Sequence, residues 1–212
     1  MLGMQRDVTD IDHPLVDSLL TKLRDADTRP AAFRRTLRRI AQLMAFELTR
    51  DLETAPLAIR TPLVETMGRQ LAHPVALVPI LRAGLGMLDG FLEILPDAKV
   101  GHIGMARDEQ THRPESYYCK LPADIADSEV FLIDPMLATG RSGAAAASQL
   151  KQHGASRLRF VNLVASPEGV AYFHGEHPEI PIYTAAIDER LDRNAYILPG
   201  LGDAGDRYFG TL

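Results

Sequence analysis

Hydrophobic residues recur at helical spacing along the first fifty positions of the chain. One apolar face runs through residues 15–23 and a second through residues 33–48. Positions three or four apart share one side of an α-helix, so the pattern predicts two amphipathic helices. The polar stretch 25–30 separates them, and its Pro30 suits the first turn of the second helix. We expect both helices to precede the first strand.

From residue 75 onward the pattern changes to short apolar runs that alternate with helical stretches. The predicted strands are 75–81, 99–105, 129–134, 157–165 and 180–185, and the predicted helices are 84–95, 143–153 and 168–174. A nearly continuous apolar run such as 130–133 is typical of a strand buried on both faces of a parallel sheet. The sequence therefore predicts an α/β fold, with a mostly parallel twisted sheet flanked by helices.

We expect a single domain over residues 1–212, with residues 1–55 as an N-terminal helical appendage. Residues 106–128 and 186–212 fit no regular element. Ligands of open α/β sheets bind beyond the carboxyl ends of the strands, where long loops often supply the binding residues. We therefore expect both irregular segments to contribute to a binding site.

Composition narrows the class of protein. Hydrophobic residues make up 46% and charged residues 24% of the 212 positions, as in ordinary globular proteins. The longest apolar run, 75–81, is far shorter than the roughly 18 residues that cross a bilayer. A net charge of −5 argues against a nucleic-acid partner. Charged residues near the N-terminus leave no secretory signal, so we expect a cytoplasmic protein with no membrane partner.

The strongest chemical motif is the segment from Asp134 to Ser142, which follows a buried-type strand and opens an alanine-rich helix. Backbone N–H groups at such a turn and helix N-terminus can converge on a phosphate. Gly140 permits close approach of the backbone, and Thr139 and Ser142 add hydroxyl donors. Asp134 is placed to accept hydrogen bonds from sugar hydroxyls. The alternative is an ordinary loop in which Ser142 caps the helix.

This segment resembles the phosphoribosyl diphosphate motif of type I phosphoribosyltransferases, in the form typical of the uracil phosphoribosyltransferase family. Other stretches resemble the same family in the same order, and they are 78–86, 99–104, 117–122 and 196–207. The resemblance extends from about residue 13 to the C-terminus. Arg141 stands where the family commonly has a second glycine, which leaves the backbone cradle intact but changes the surroundings of the phosphate.

The resemblance implies a set of phosphoribosyl diphosphate ligands. They are Arg82, Arg107, Asp134, Pro135, Met136, Leu137, Ala138, Thr139, Gly140, Arg141, Ser142 and Asp203. Among these, Arg82, Asp134 and Asp203 are the expected catalytic residues. The guanidinium of Arg82 can clamp a diphosphate through two parallel hydrogen bonds.

A rival interpretation exists for the glycines that follow Arg82. A strand followed by Gly84, Gly86 and Gly90 imitates a dinucleotide-binding turn, and Arg107 lies about twenty residues further on, as an NADP site would require. The spacing is GxGxxxG instead of GxGxxG, so the motif is weak. An NADP-dependent oxidoreductase remains an alternative, and so does the simpler view that the glycines serve helix packing.

Glycines at 200, 202 and 205 interrupt the C-terminal segment 198–206, which argues against a regular helix or strand there. Such a loop can present backbone N–H and C=O groups to the edge of a heterocycle. The resemblance places uracil against Ile197, Gly202, Asp203 and Ala204. A flexible tail is the alternative.

The implied reaction is transfer of the 5-phosphoribosyl group of 5-phospho-α-D-ribose 1-diphosphate to uracil N1, which gives UMP and diphosphate. Mg²⁺ is expected as a cofactor that arrives with the diphosphate. A homodimer or homotetramer is expected from the family, and some relatives respond to GTP, so a GTP effector is part of the same expectation. A non-catalytic regulator that senses phosphoribosyl diphosphate is the second alternative.

Three weaker features remain. His174 and His177 lack a third ligand and are expected at a helix end, so no metal site held by protein ligands alone is predicted. The charged run 188–193 is expected to be solvated or salt-bridged. Tyr117 and Tyr118 are expected either in a mobile cover over the substrates or in an edge strand.

Overall fold

A computed structural model of the protein describes residues 8–107 and 114–211, with side chains for 8–106 and 115–211. The elements are β1 (Val8–Asp10), α1 (Pro14–Arg24), α2 (Pro30–Leu48), β2 (Thr54–Arg60), β3 (Glu65–Leu71), β4 (Val75–Leu81), α3 (Leu85–Ile94), β5 (Lys99–Val100), β6 (His102–Arg107), β7 (Pro114–Lys120), a 3₁₀ turn (Ile125–Asp127), β8 (Glu129–Ile133), β9 (Met136–Leu137), α4 (Arg141–Gln152), β10 (Arg157–Asn162), β11 (Val164–Ala165), α5 (Pro167–Glu176), β12 (Ile182–Thr184), β13 (Arg190–Leu191), β14 (Ile197–Leu198) and α6 (Ala204–Phe209).

The central sheet has the strand order β1-β12-β10-β8-β4-β6-β7, and β5 pairs with β4 beside β6. Neighbouring strands run parallel throughout this path except for β6 and β7, which are antiparallel. In the register of the centre, Leu77 of β4 lies opposite Phe131 of β8. The predicted α/β fold with a mostly parallel sheet is confirmed.

Alternation along the central strands divides the core between the two faces of the sheet. Leu77 and Phe131 belong to a cluster that is completed by α1, α2 and α3. Val78, Leu132 and Phe160 belong to a second cluster that is completed by α4 and α5. Strand β8 is buried on both faces of the sheet, which explains why residues 130–133 are all apolar and do not alternate with polar residues. The N-terminal helices therefore pack directly on the sheet.

Most predicted elements lie where the pattern put them. Residues 75–81 form β4, and the helix predicted at 84–95 is α3. Two predicted strands are interrupted in the structure, at residue 101 between β5 and β6 and at residue 163 between β10 and β11. The second break arises because the N–H groups of Leu163 and Val164 both donate to the Pro135 carbonyl, outside the ladder of the sheet.

Some expectations about the order and extent of regular structure are wrong. A strand, β1, precedes the two helices and pairs with β12 from the far end of the chain. The strands β2 and β3 form an unpredicted antiparallel hairpin. Part of the segment 106–128 is strand β7 at the edge of the sheet, and residues 186–211 contain β13, β14 and α6, so neither segment is irregular throughout. Strand β7 contains Tyr117 and Tyr118, which confirms the edge-strand alternative for these two residues. Strand β1 is specified by a partner far away in the sequence instead of by a periodicity of its own.

The described part of the chain includes no helix of the length and apolarity that a membrane span would need.

Candidate active site

The site forms where β4 and β8 lie side by side at the carboxyl end of the sheet. After β4 the chain passes through α3, which packs on one face, and after β8 it passes through α4, which packs on the other. The two connections diverge, and they leave a crevice between the loops that begin at Arg82 and Asp134. This is the switch point at which open α/β sheets bind their ligands.

Asp134 follows β8 directly, and its backbone is held on both sides. Its N–H donates to the Val161 carbonyl at 3.1 Å, and its carbonyl accepts from the buried Asn162 side chain at 2.9 Å. Burial raises the pKa of Asp134 to about 7, although the Met136 N–H, which donates to its carboxylate at 3.4 Å, lowers this pKa. The charge of Asp203 raises it further. Asp134 is thus a carboxylate whose ionisation is costly without a partner.

The rest of loop 134–142 is packed on the start of α5. Its strand β9 pairs with β11, and Ser166 donates its hydroxyl to the Ala138 carbonyl at 2.7 Å while capping α5 at Gly169. Gly140 has a φ of +76°, and a Cβ there would lie 2.5 Å from the Gly169 carbonyl oxygen. Only glycine fits this close approach of two backbones. The loop is therefore held in place by contacts within the protein.

The helix α4 begins at Arg141, with Gly140 as its N-cap and no side-chain hydrogen bond at the cap. The alternative in which Ser142 caps this helix is therefore wrong. The first N–H groups of a helix have no partner inside it, so those of α4 are available to an anion. The exposed guanidinium of Arg141 lies 5.1 Å from the ring centre of Tyr172 on α5. In this conformation Arg141 stacks on an aromatic ring.

The loop after β4 carries Arg82 at the rim of the crevice. Its side chain is 59% exposed, lies 3.4 Å from the Asp206 carboxylate and stacks 5.5 Å from the ring centre of Phe209. The peptide bond between Leu81 and Arg82 is cis. Arg107 ends β6, and its side chain lies outside the described residues. Arg82 is therefore an exposed cation at the rim of the crevice. Its contact with the Asp206 carboxylate is long and weak, so a phosphate group of a substrate can replace that carboxylate.

The glycines after Arg82 are explained by packing within the protein. A Cβ on Gly84 would lie 2.6 Å from the Ile133 carbonyl oxygen. A Cβ on Gly86 would lie 2.6 Å from the Leu37 side chain, and one on Gly90 would overlap the Arg38 carbonyl of α2. These glycines allow α3 to approach β8 and α2 closely. Because these glycines face other parts of the protein, they do not support the interpretation as a dinucleotide-binding turn.

The C-terminal segment closes the other side of the crevice. Ile197, Gly202, Asp203 and Ala204 share a cavity of about 230 Å³ with Asp134. Gly202 has a φ of +78°, which an L side chain rarely adopts. Asp203 caps α6, because its carboxylate accepts from the Asp206 N–H at 2.8 Å. The segment that was expected to be irregular thus contains a short helix, which Asp203 initiates.

The cavity collects seven of the predicted site residues. They are Asp134, Met136, Ala138, Ile197, Gly202, Asp203 and Ala204. Other predicted residues do not line it, and they are Arg82, Pro135, Leu137, Thr139, Gly140, Arg141 and Ser142. Pro135, Leu137 and Gly140 are buried within the protein, whereas Arg82, Arg141 and Ser142 are exposed. Arg141 and Ser142 are therefore accessible at the start of α4, although they lie outside the cavity itself.

Four residues that sequence reasoning missed also line the cavity. They are Ala83, Ala195, Tyr196 and Gly205. Ala195 has a φ of +66°, and nothing in an alanine indicates that conformation. A signal did exist nearby, because Asp192 accepts from the N–H groups of Asn194 and Tyr196, both at 2.8 Å, as aspartates often do in turns. Ala83 lies between two residues that were singled out.

Within the part of the chain that the structure describes, no three His, Cys, Asp or Glu side chains are arranged to hold a metal ion. His174 lies in α5 and His177 is its C-cap, as expected. Asp188, at the start of the charged run, is buried and forms a salt bridge with Arg24.

Comparison with known proteins identifies the family. The family model for uracil phosphoribosyltransferase matches residues 10–211. The chain belongs to this family. The resemblance that the motifs carried is therefore confirmed.

Curated relatives agree over nearly the whole chain. A uracil phosphoribosyltransferase from Thermoanaerobacter sp. (strain X514) is 50% identical over 209 residues, which are 98% of this chain and 100% of the relative. Another, from Streptococcus thermophilus (strain CNRZ 1066), is 54% identical over 202 residues, 95% of this chain and 97% of the relative. Neither the oxidoreductase alternative nor the sensor alternative is supported by these matches.

Solved structures share the fold. AQ2163 protein from Aquifex aeolicus superposes with a TM-score of 0.91 at 34% identity, over 95% of this chain and 97% of that one. An adenine phosphoribosyl transferase from Trypanosoma brucei, solved with AMP, pyrophosphate and ribose-5-phosphate, has a TM-score of 0.58 at 12% identity, over 88% and 86% of the two chains. The second likeness shows the fold alone.

Proposed function

We propose that the protein transfers the 5-phosphoribosyl group of 5-phospho-α-D-ribose 1-diphosphate to uracil N1, which gives UMP and diphosphate. Membership of the uracil phosphoribosyltransferase family supports this reaction. The observation that carries the proposal is the single cavity in which Asp134 of one loop meets Ile197, Gly202 and Ala204 of the other. A sugar and a base can be bound side by side there.

The phosphoribosyl end of the substrate binds loop 134–142. The 5′-phosphate accepts hydrogen bonds from the uncapped N–H groups at the start of α4, where the helix dipole also favours an anion. Asp134 accepts from the ribose hydroxyls. Because these hydroxyls stabilise the charged carboxylate, sugar binding compensates the burial that raises the pKa of Asp134.

Uracil binds residues 197–204, which run from β14 to the first residue of α6 and are called loop 197–204 from here on. Its O2, N3–H and O4 form an edge of acceptor, donor and acceptor, which backbone N–H and C=O groups can match. The positive φ of Gly202 turns the backbone at this point, and Ala204 begins the helix that Asp203 caps. Uracil N1 then lies next to the anomeric carbon, and this placement supplies the orientation that a transfer reaction needs.

Departure of the diphosphate is the demanding step, because positive charge develops on the ribose as negative charge develops on the leaving group. Arg82 and Arg107 stabilise the diphosphate. Asp134 and Asp203 offer the carboxylate oxygens that Mg²⁺ accepts together with phosphates and water, so the site suits a metal that arrives on the substrate. When bound, Mg²⁺ neutralises charge on the leaving group. Asp203 is also the candidate base for the N1 proton.

The reaction is tested by measuring diphosphate release with phosphoribosyl diphosphate, Mg²⁺ and a panel of uracil, cytosine, hypoxanthine, adenine and orotate. The expected result is release with uracil and formation of UMP. Binding of phosphoribosyl diphosphate without release for any base would instead favour the sensor. A fluorescence titration with NADPH tests the oxidoreductase alternative, and we expect no binding.

A homodimer or homotetramer is proposed as the working assembly. Its support is the β2–β3 hairpin, where Leu63 is 95% exposed and Val64 and Met67 are each 63% exposed. Apolar side chains grouped in this way mark association surfaces. The assay above, repeated with GTP, tests the predicted effector. Cytoplasmic location stays a prediction from the sequence.

A further inference from the structure

An ion pair between Arg24 and Asp188 supports loop 197–204 from outside the cavity. Arg24, the last residue of α1, donates to both carboxylate oxygens of Asp188, at 2.7 and 2.6 Å. The Asp188 side chain is 5% exposed and that of Arg24 is 24% exposed. A bidentate ion pair that is largely buried from solvent fixes the positions of both side chains.

Both partners also bind the backbone of Gly200. The Gly200 N–H donates to Asp188 Oδ2 at 2.8 Å, and Arg24 Nη1 donates to the Gly200 carbonyl at 2.8 Å. The two peptide groups that flank the Gly200 Cα are therefore held by charged side chains. Gly200 has a φ of +59°, and a Cβ there would overlap the Ile197 carbonyl. The chain has little freedom at this point.

A second arginine holds the next residue to the same region of α1. Arg207 donates to the carbonyls of Leu201 and Asp25, at 2.7 and 2.6 Å, and to that of Leu23. Its guanidinium also lies 4.6 Å from the ring centre of Phe33. The residues just before Gly202 are thus tied to the end of α1 by side chains that do not line the cavity.

We infer that Arg24 and Asp188 are positioning residues for uracil, acting through Gly200. This inference rests on the proposed function of loop 197–204. Held by the pair, Gly200 sets the direction in which the chain enters Gly202 and Asp203. The backbone groups that recognise the base are then in place before it binds. The end of α1 thereby influences the affinity for uracil, whereas loop 134–142, which binds the phosphate, has its own anchors on α5.

The test compares Arg24→Gln, Asp188→Asn, the double variant and Arg24→Lys in the full-length protein. We expect the first two to raise the KM for uracil by roughly 10- to 100-fold, because small displacements of positioning groups are costly. The dissociation constant for phosphoribosyl diphosphate, measured by calorimetry without uracil, should stay unchanged. The double variant should raise the KM for uracil no more than the single variant with the larger effect does, since the two residues act as a unit. Arg24→Lys should raise the KM for uracil less than Arg24→Gln does, because lysine keeps the positive charge but cannot form the bidentate contact of a guanidinium.

Arg159→Gln is the matched control. Arg159 also binds a carboxylate, Asp51 at 2.6 Å, and a backbone carbonyl, that of Leu48 at 3.0 Å, and it does not line the cavity. Its loss should lower the free energy of unfolding without changing the KM for uracil. This control separates positioning from general stabilisation.

An unchanged KM for uracil in folded Arg24→Gln and Asp188→Asn would overturn the inference, and so would equal factors for the two substrates. If a single variant fails to fold because a buried charge is left unpaired, the double variant and Arg24→Lys decide the question. Absence of uracil-dependent diphosphate release in the unmutated protein would instead refute the proposed function, and the inference with it.

Discussion

Among single residues, the proposed reaction depends on Asp134, whose carboxylate can be charged only at a cost in free energy. Burial raises its pKa to about 7, so between about pH 4 and pH 7 the folded protein retains a proton that the unfolded chain has lost. The contribution of Asp134 to stability is therefore fully present below its ordinary pKa, and it is lost as the pH rises through about 7.

Asp134→Asn removes this dependence, because the amide is neutral at every pH. In the absence of ligands, the unmutated protein should therefore lose stability from pH 5 to pH 8 relative to the variant. The free energy of unfolding of the variant minus that of the unmutated protein should be larger at pH 8 than at pH 5. Urea unfolding of both proteins at the two pH values measures the difference. A difference that does not vary with pH would contradict the raised pKa.

Arg82 provides the second prediction for a single residue. Arg82→Ala removes a charge-assisted contact with the diphosphate, which is worth about 1.5 to 3 kcal/mol, so the KM for phosphoribosyl diphosphate should rise roughly 10- to 100-fold. Stability should change by less than about 1 kcal/mol, because the side chain is exposed. Steady-state kinetics measures the first effect and urea unfolding the second.

Arg38→Ala is the control for that variant. Arg38 forms a surface pair with Glu93 at 3.5 Å and has a comparable exposure of 51%, but it lies on α2 and its partner on α3, outside the loops that border the crevice. Its KM values should be unchanged. Equal effects of the two substitutions on phosphoribosyl diphosphate would remove Arg82 from the site.

The residues that carry recognisable chemistry could be predicted from the sequence, whereas the residues that support them could not. Asp134 and Gly140 stand in a motif, and a buried strand followed by an acid and a glycine turn can be read locally. Arg24 and Asp188 are 164 positions apart, and only the folded chain brings them together. The αL conformation of Ala195 likewise follows from its turn and not from its own chemistry.

At the scale of elements, loop 197–204 is expected to determine affinity for the base. Gly202→Val places a β-branched residue at a φ of +78°, which strains the backbone that recognises uracil. The KM for uracil should rise by about 10-fold or more, since misplacement of a positioning element is costly. The dissociation constant for phosphoribosyl diphosphate should change little. Kinetics and calorimetry measure the two quantities.

Gly210→Val is the counterpart outside the cavity. Gly210 is the C-cap of α6 and has a φ of +73°, so the substitution imposes a similar backbone strain. It should cost stability without a specific effect on uracil. Were Gly202→Val to weaken both substrates equally, the loop would be structural only.

The β2–β3 hairpin is expected to hold the subunits together. Val64→Lys combined with Met67→Lys should lower the mass of the assembly, because burial of two ammonium groups in an apolar contact is unfavourable. Sedimentation equilibrium measures this mass. Phe46→Lys, at a side chain that is 65% exposed on α2, should leave it unchanged. An unchanged mass in the hairpin variant would show that the subunits associate elsewhere.

The elements that the sequence predicted well are those with their own periodicity. Strand β4 is continuous and apolar, and α2 has a broad buried face. The hairpin β2–β3 was missed because most of its positions are exposed on both faces, so no alternation marks it. Strands β1 and β7 take their conformation from their partners β12 and β6.

At the scale of the whole molecule, one arrangement accounts for the site. Diverging connections after β4 and β8 open the crevice, loop 134–142 is anchored on α5, and loop 197–204 is anchored on the end of α1. The two substrate ends thus bind to parts of the molecule that are stabilised separately. The family match spans residues 10–211 and includes every one of these parts.

The most direct test of this arrangement is a crystal structure of the protein with UMP. We predict that the phosphate lies at the N–H groups that begin α4, that the ribose hydroxyls contact Asp134, and that the edge of uracil lies against residues 197–204. A well-ordered UMP bound elsewhere, or a crystal soaked at saturating UMP with nothing beside Thr139, would contradict it.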